Sequence, residues 1–361
     1  MITSADVEKL CCFRSPQESV LSLYVQVPRD PAGLREVPAR ARGLIAAAAG
    51  QGSLRSEDEQ VALGLVAAHR RAQLGHTLGV FVCGDLGLSE VTLLPGGLCE
   101  RAVLAVRPHV RPLLATLQRH PDYCIAIIDR RHAWLLAVNG EQVETVAAAT
   151  GDTVASRELG GWHGLDSYHL ERRVDELARH HYRDAAQLLA AATRRNGPEP
   201  LVVGGHADGI NHLLAELAPP VRDTYAGCFA ADAHVLTPAR ARDLAEPVIA
   251  RWSEVRERQE VERITGPASG VRAAIGPHAC LAAVNAEAAK VLLIPDGGTI
   301  PGYRCERCGA LSLTGDECCD WGVASRPVPD LLEEMALQAA HAGAAVVSVA
   351  ELPCGAAASL R

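Results

Sequence analysis

The sequence contains almost no lysine. Only Lys9 and Lys290 stand among its 35 basic residues, so arginine carries nearly all of the positive charge. Arginine is suited to bidentate phosphate contacts, but here it occurs along the whole chain together with an excess of alanine. We therefore attribute the shortage of lysine first to the composition of the genome and not to a function.

Two signals for export or membrane insertion are also missing. No apolar run approaches the roughly 20 residues that a membrane-spanning helix requires. The N-terminal residues Met1–Asp6 lack the basic region and apolar core of a signal peptide. Twelve cysteines in a secreted chain would suggest disulfides, but without a signal we expect most to be reduced. The sequence thus predicts a cytoplasmic protein with no membrane partner.

A basic net charge is absent as well. The net charge of −8 argues against a protein that coats nucleic acid with its whole surface, and we expect no DNA partner. A local RNA contact stays possible because phosphate binding depends on where the cations lie. With 48% hydrophobic and 22% charged residues, the composition is that of a globular protein.

Three blocks of alternating strand and helix patterns follow one another along the 361 residues. This alternation predicts three consecutive α/β domains, at 1–117, 118–265 and 266–361. In the second block, the apolar runs at 123–129 and 133–138 predict a hairpin. The order of patterns in the third block predicts a small α/β sandwich with a zinc-knuckle insertion.

The most informative stretch is Gly160-Gly161-Trp162-His163-Gly164, which directly precedes a long amphipathic helix. This helix carries Arg172, Arg173, Arg179, Tyr182 and Arg183, and its outward side repeats Tyr168, Arg172, Arg179 and Arg183 at helical spacing. By themselves, paired glycines before a helix favour a simple turn. The arginines by themselves favour a solvated face with ion pairs worth about 0.2–0.5 kcal/mol each.

The order of several motifs adds a second interpretation. Residues 160–189, Val203–Asp208 and 276–297 resemble the central and third domains of the class-I peptide chain release factors of archaea and eukaryotes and of Pelota-type relatives. The first block, with its segment Arg107–Leu113, is similar to bacterial members of this superfamily. The resemblance implies a ribosome-associated factor whose loop enters the A site and the peptidyl-transferase centre, with the four arginines as RNA contacts. It also implies an elongation-factor-type GTPase as a possible delivery partner.

The loop departs from the family at its third position. Release factors carry Gly-Gly-Gln there, and the glutamine positions a water against the peptidyl-tRNA ester, whereas Trp162 follows Gly160 and Gly161 in this chain. The resemblance makes these three residues and His163 the candidate catalytic loop. The backbone N–H of Trp162 could donate to an oxyanion, and His163 could act as a base. The indole could instead stack on an RNA base, a contact worth about 1–3 kcal/mol.

Three functions remain open at this point. The missing glutamine favours ribosome rescue or hibernation, as in Balon-type relatives, over release at stop codons. The alternative is a peptidyl-tRNA hydrolase that frees nascent chains from stalled ribosomes. The third possibility is an α/β protein-interaction module that never contacts a ribosome.

A cysteine group in the third block predicts a structural zinc site. Cys305 and Cys308, followed by Gly309, have the spacing of one half of a zinc knuckle. Trp321 stands where the last cysteine of a second C-x-x-C would be, so Cys318 and the adjacent Cys319 are the candidate remaining ligands. A decayed knuckle with four reduced thiols is the alternative.

Overall fold

The computed structural model describes residues 4–49, 54–71, 74–96, 98–140, 142–150, 165–196, 199–233, 235–266, 272–315 and 325–361. Contacts divide the chain into a terminal unit, Met1–Gln118 with Glu257–Arg361, and a central unit, Arg119–Arg256. Within these ranges the fold is mixed α/β with four sheets. None of the helices in the described ranges is long and apolar enough to cross a membrane. The three consecutive domains stay a prediction.

The N-terminal part of the terminal unit is an antiparallel sheet between two helical layers. Its elements are α1 (Ser4–Cys12), β1 (Val20–Gln26), α2 (Pro31–Ala49), α3 (Ser56–His69), β2 (Thr77–Cys83), β3 (Leu88–Leu94), β4 (Arg101–Ala105) and α4 (Arg111–Arg119). The strand order is β3-β2-β1-β4. Helices α2 and α3 pack on one face through Val37, Ile45 and Val66. Side chains of α1 and α4 pack around Tyr24 and Phe81 on the other face.

The central unit contains a five-stranded sheet with helices on both faces. Its elements are β5 (Tyr123–Ile128), β6 (His132–Asn139), β7 (Gln142–Thr150), α5 (Leu165–Asn196), β8 (Leu201–Gly205), α6 (Ala207–Glu216), α7 (Pro219–Arg222), β9 (Tyr225–Ala230) and α8 (Pro238–Thr265). The strand order is β7-β6-β5-β8-β9. Strands β5 and β6 pair in antiparallel fashion, which confirms the predicted hairpin. Helices α5 and α6 cover one face of the sheet, and α8 covers the other.

The C-terminal part of the terminal unit has two sheets. Its elements are β10 (Ala273–Ile275), α9 (Pro277–Asn285), β11 (Ala289–Pro295), β12 (Gly302–Cys305), β13 (Leu311–Ser312), β14 (Ser325–Val328), α10 (Leu331–His341), β15 (Ala345–Val349) and β16 (Ala357–Leu360). The strand orders are β10-β16-β11-β15 and β13-β12-β14. Helices α9 and α10 pack on the larger sheet through a core that includes Cys280, Met335 and Ile294.

A buried group of charges joins the two parts of the terminal unit. The carboxylate of Glu333, in α10, accepts hydrogen bonds from the backbone N–H groups of Val110 (2.6 Å) and Arg111 (3.2 Å). The same carboxylate lies 3.0 Å from Nδ1 of His109. The Arg111 side chain is 1% exposed, and its Nη2 lies 3.4 Å from Asp330. The start of α4 is therefore held by polar contacts that water cannot replace.

The pKa values of the two carboxyl groups in this cluster are shifted in opposite directions. Burial raises the pKa of Glu333, but His109, the two backbone N–H groups and Arg111 outweigh it, so the pKa lies below its ordinary value. For Asp330 burial dominates over the attraction of Arg111 and His109, so the pKa lies above its ordinary value. The difference follows from the donors, because the ring of His109 lies 3.0 Å from Glu333, whereas the two backbone N–H groups that Asp330 accepts are at 3.1 and 3.5 Å.

Replacing Glu333 by alanine should therefore destabilise the protein strongly. Glu333→Ala leaves the two buried N–H groups of Val110 and Arg111 without their acceptor and removes the carboxylate beside His109, and breaking a buried pair in this way costs about 3–5 kcal/mol. Urea unfolding followed by circular dichroism measures the change. Glu351→Ala removes an exposed carboxylate of the same unit and should change the free energy of unfolding by less than about 0.5 kcal/mol. Equal stability of the two variants would contradict this account.

Candidate functional site

The parallel strands of the central unit all end at the same edge of their sheet. Strand β8 pairs in parallel with β5, so that Gly205 lies opposite Ile128, and with β9, so that Gly205 also lies opposite Ala230. In α/β sheets, ligands bind in the crevice outside the carboxyl ends of such strands. The polar residues that follow β5, β8 and β9 are therefore brought together, although long stretches of sequence separate them.

A cleft of about 630 Å³ opens at this edge. Its polar lining side chains are Asp129, Arg130, Arg131, Arg179, Tyr182, His206, Asp208, His212 and Asp232. Such a volume lies within the range of about 300–1,000 Å³ that is typical of small-molecule sites. The cleft lies wholly within the central unit.

A glycine allows β8 to approach β5 closely at the base of the cleft. Gly205 has a φ of 156°, and a Cβ atom there would collide with the carbonyl oxygen of Ile128. The chain then turns directly into α6, whose N-cap residue His206 makes no side-chain hydrogen bond to the helix. The first helical bond at this end is donated by the N–H of Ile210 to the carbonyl of His206 (3.0 Å). The three N–H groups before it have no acceptor within the helix.

Asp129 accepts the hydrogen bonds that hold the turn after β5. The side chains of the neighbouring arginines take no part in these hydrogen bonds. The Oδ1 of Asp129 accepts the backbone N–H groups of Arg131 and His132 at 2.6 Å each, and its Oδ2 lies 3.2 Å from Nδ1 of His132. Burial raises the pKa of Asp129, but these donors outweigh it and hold the pKa below its ordinary value. Asp129 is therefore an ionised structural group, and the exposed side chains of Arg130 and Arg131 carry the positive charge at the rim.

Helix α5 supplies the wall of the cleft. Tyr182 is 3% exposed, and its ring stacks on that of His212 in α6, with ring centroids 5.4 Å apart and planes at 13°. Burial raises the pKa of Tyr182, although Arg130 lowers it in part. The phenol therefore stays protonated at neutral pH and can donate a hydrogen bond.

The four predicted RNA-contact arginines lie on α5 with different surroundings. Arg179 is exposed and lines the cleft. Arg183 is exposed and its Nε lies 3.6 Å from Oε2 of Glu216. Arg172 and Arg173 belong to the same helix, but side chains are described only from Glu176 onward. The predicted catalytic loop, Gly160 to His163, lies outside the described residues.

The predicted zinc ligands are only partly described. Cys305 ends β12 and is buried, and Cys308 is exposed. Gly309, with a φ of 75°, donates its N–H to the carbonyl of Cys305 at 3.0 Å and closes a tight turn. Cys318 and Cys319 lie outside the described residues. Within the ranges given above, no group of three or more His, Cys, Asp or Glu residues could hold a metal ion.

The sequence prediction missed most of the cleft. Its residues Arg130, His206, Asp208, His212 and Asp232 were not assigned a role, although each lies just after a buried strand or in the first turns of the following helix. That position is the signal that could have identified them. It becomes informative only when the three strands are known to be parallel neighbours.

Comparison with known proteins finds a family similar to the central region. Residues 108–266 match the family model of the bacterial archaeo-eukaryotic release factor family 10. None of the curated protein sequences matches this chain.

Several solved structures are similar to it at low sequence identity. A model of ribosome-bound archaeal Pelota with ABCE1 has 16% identity and a TM-score of 0.43, with 99% of this chain and 94% of that chain covered. Archaeal translation termination factor aRF1 has 15% identity and a TM-score of 0.27, with 100% and 98% covered. Archaeoglobus fulgidus Pelota has 16% identity and a TM-score of 0.33, with 79% and 78% covered.

The family match covers the hairpin, the Gly loop, α5 and the carboxyl-edge cleft. These are the segments on which the sequence resemblance depends most. Residues 108–266 of this chain are therefore similar to the bacterial archaeo-eukaryotic release factor family 10.

Proposed function

We propose that this protein is a ribosome-associated translation factor that acts in ribosome rescue or hibernation in the cytoplasm. The observation that carries the proposal is the family match over 108–266, which includes both the Gly160 loop and the whole of α5. In this proposal the loop enters the A site and reaches the peptidyl-transferase centre. The first block has no recognisable codon-reading motif, which favours a role that does not depend on a stop codon.

Helix α5 supplies the proposed RNA contacts. Arg179 is exposed, and Arg183 is about half exposed in a surface ion pair with Glu216. An exposed pair of this kind is worth about 0–1 kcal/mol, so RNA phosphate can replace the Glu216 carboxylate at little cost. Arg172 and Arg173, two turns nearer to the loop, are proposed to make the contacts closest to the peptidyl-transferase centre.

The archaeal Pelota to which this chain is similar is a ribosome-bound protein in a model with ABCE1. For this chain we propose the ribosome as the principal partner. An elongation-factor-type GTPase is the proposed delivery partner, by family resemblance.

The identity of residue 162 bears on whether the loop performs chemistry. Trp162 replaces the glutamine that positions water in release factors, and an indole occupies the space that a hydrolytic water requires. The same indole has a large face for stacking on an RNA base, a contact worth about 1–3 kcal/mol. We propose that the loop occupies the peptidyl-transferase centre and does not cleave the ester there.

Binding to ribosomes should depend on salt and on the arginines of α5. The protein should sediment with 70S ribosomes at about 0.1 M salt and be released at several-fold higher salt, because phosphate contacts release counterions. The double variant Arg172→Ala/Arg173→Ala should bind less tightly. Its affinity should also fall less steeply with salt, as expected for the loss of about two phosphate contacts. Arg240→Ala/Arg251→Ala, which removes two exposed arginines of α8, is the matched control. No sedimentation of the wild type at low salt would favour a non-ribosomal interaction module.

Nascent-chain release should be absent. Incubated with stalled ribosome complexes that carry labelled peptidyl-tRNA, the wild type and His163→Ala should both leave the ester intact at the background rate, because neither has the family glutamine. A release factor with Gly-Gly-Gln serves as the positive control for the assay. Release by the wild type that disappears in His163→Ala would show that the protein is a peptidyl-tRNA hydrolase.

We also propose a structural zinc ion at Cys305, Cys308, Cys318 and Cys319. The described half of the site fits, since Cys305 is buried, Cys308 is exposed three residues later, and the left-handed Gly309 directly after Cys308 closes the turn. Tetrahedral zinc needs four donors, so the second pair of cysteines would supply the other two thiolates. The ion would link the cysteines of the segment that connects β12 to β14.

Zinc content should depend on Cys305. The purified wild type should contain about one equivalent of zinc by elemental analysis, and Cys305→Ser should lose most of it, because structural zinc requires all four thiolate ligands. Cys12→Ser removes an exposed cysteine of α1 and should leave the zinc content unchanged. Equal zinc in all three proteins would refute the assignment.

A further inference from the structure

We propose that the carboxyl-edge cleft of the central unit binds a small phosphorylated ligand of mononucleotide size. The proposal concerns the described cleft, and it does not depend on whether the protein enters the ribosome. It is argued from the charges, the helix end and the Tyr182 side chain that meet there.

The hydrogen-bond donors at the N-terminus of α6 indicate where the phosphate of the ligand would bind. This ten-residue helix begins at the cleft without a side-chain cap, and its first N–H groups point toward the carboxyl edge of the sheet. A helix N-terminus favours an anion through these N–H groups and through the helix dipole. The side chains of Arg130, Arg131 and Arg179 add positive charge to the same cleft.

The side chain of Tyr182 gives a second, independent reason to expect a ligand. Tyr182 is 97% buried and lines the cleft, and the hydrogen bonds of the described residues include none to its hydroxyl. The hydroxyl lies beside the first turn of α6, since a Cβ atom on Gly209 would be 3.5 Å from it. The stacked ring of His212 holds the phenol in place, and an acceptor oxygen on a ligand would satisfy it.

The acidic residues of the cleft decide between a small ligand and a nucleic-acid strand. Asp208 and Asp232 line the cleft together with the arginines. A polyanionic strand would bring phosphates close to both carboxylates, which is unfavourable at short range. A ligand with one phosphate and a hydroxyl-rich remainder fits this mixed lining, since carboxylates accept hydrogen bonds from hydroxyl groups. A sugar phosphate with a base has these properties, and a free phosphate would leave most of the 630 Å³ empty.

Titration calorimetry on the full chain tests the proposal without ribosomes. The probes are AMP, GMP, CMP and UMP, with adenosine, inorganic phosphate and a ribo-oligonucleotide of about ten residues for comparison. At least one nucleotide should bind with 1:1 stoichiometry, and adenosine and inorganic phosphate should bind at least tenfold more weakly.

Variants locate the binding in the cleft. Arg179→Ala should weaken nucleotide binding at least tenfold, and Tyr182→Phe should weaken it several-fold while keeping the ring that packs in the core. Arg194→Ala removes an exposed arginine four turns further along the same helix and should bind as the wild type does. Thermal unfolding of each variant verifies that it is folded.

Three results would overturn the proposal. The first is that no nucleotide binds at millimolar concentration, or that the nucleotide affinity is the same in Arg179→Ala, Tyr182→Phe and the wild type. The second is that inorganic phosphate binds as tightly as the nucleotides, which would reduce the cleft to a simple anion site. The third is that the oligonucleotide binds more tightly than every mononucleotide and loses that affinity in Arg179→Ala, which would assign the cleft to RNA.

Discussion

The terminal unit depends on one buried carboxylate. Glu333 receives the N–H groups of Val110 and Arg111 and the ring of His109, all from a segment 222 to 224 positions earlier in the sequence. A charge removed from water must be compensated by donors of its own, so these contacts fix where α10 lies relative to the start of α4. Leu337, one turn further along α10, then packs in the same core as Tyr24 and Phe81. The N-terminal and C-terminal parts of the unit consequently share both a polar contact and an apolar core.

The central unit depends on a different constraint, the parallel alignment of β5, β8 and β9. At its carboxyl end, each strand is followed by a turn that leads toward the helical layer. The residues of these turns that line the cleft are polar. The close approach at Gly205 and the Asp129 turn keep these ends compact. The cleft is thus a consequence of the sheet topology, and the three arginines and Tyr182 give it its chemical character.

Local patterns predicted a good part of this fold, and their limits have physical causes. Alternating apolar residues identified the β5–β6 hairpin, and the helical spacing identified α5 and left Arg179 and Arg183 exposed, as the structure has them. Tyr182 was named with the polar residues of the helix, but its side chain is buried because it lies one turn from Ala178 and Ala186 in the core. Strand β7 was missed because its alanine-rich, largely exposed sequence lacks a strong period. The Glu333 cluster and the cleft could not be predicted, since both consist of residues far apart in sequence.

The two proposed anion sites lie at different positions along α5. Toward its start, Arg172 and Arg173 follow the Gly loop, where a protein that meets ribosomal RNA needs cations without competing acids. Toward its middle, Arg179 and Tyr182 face a cleft that also contains Asp208 and Asp232. A polyanion is disfavoured by those carboxylates, whereas a compact ligand can place its phosphate on one side and its hydroxyl groups on the other. Because both proposed sites lie on one helix, a ligand in the cleft and the proposed RNA would contact different turns of α5.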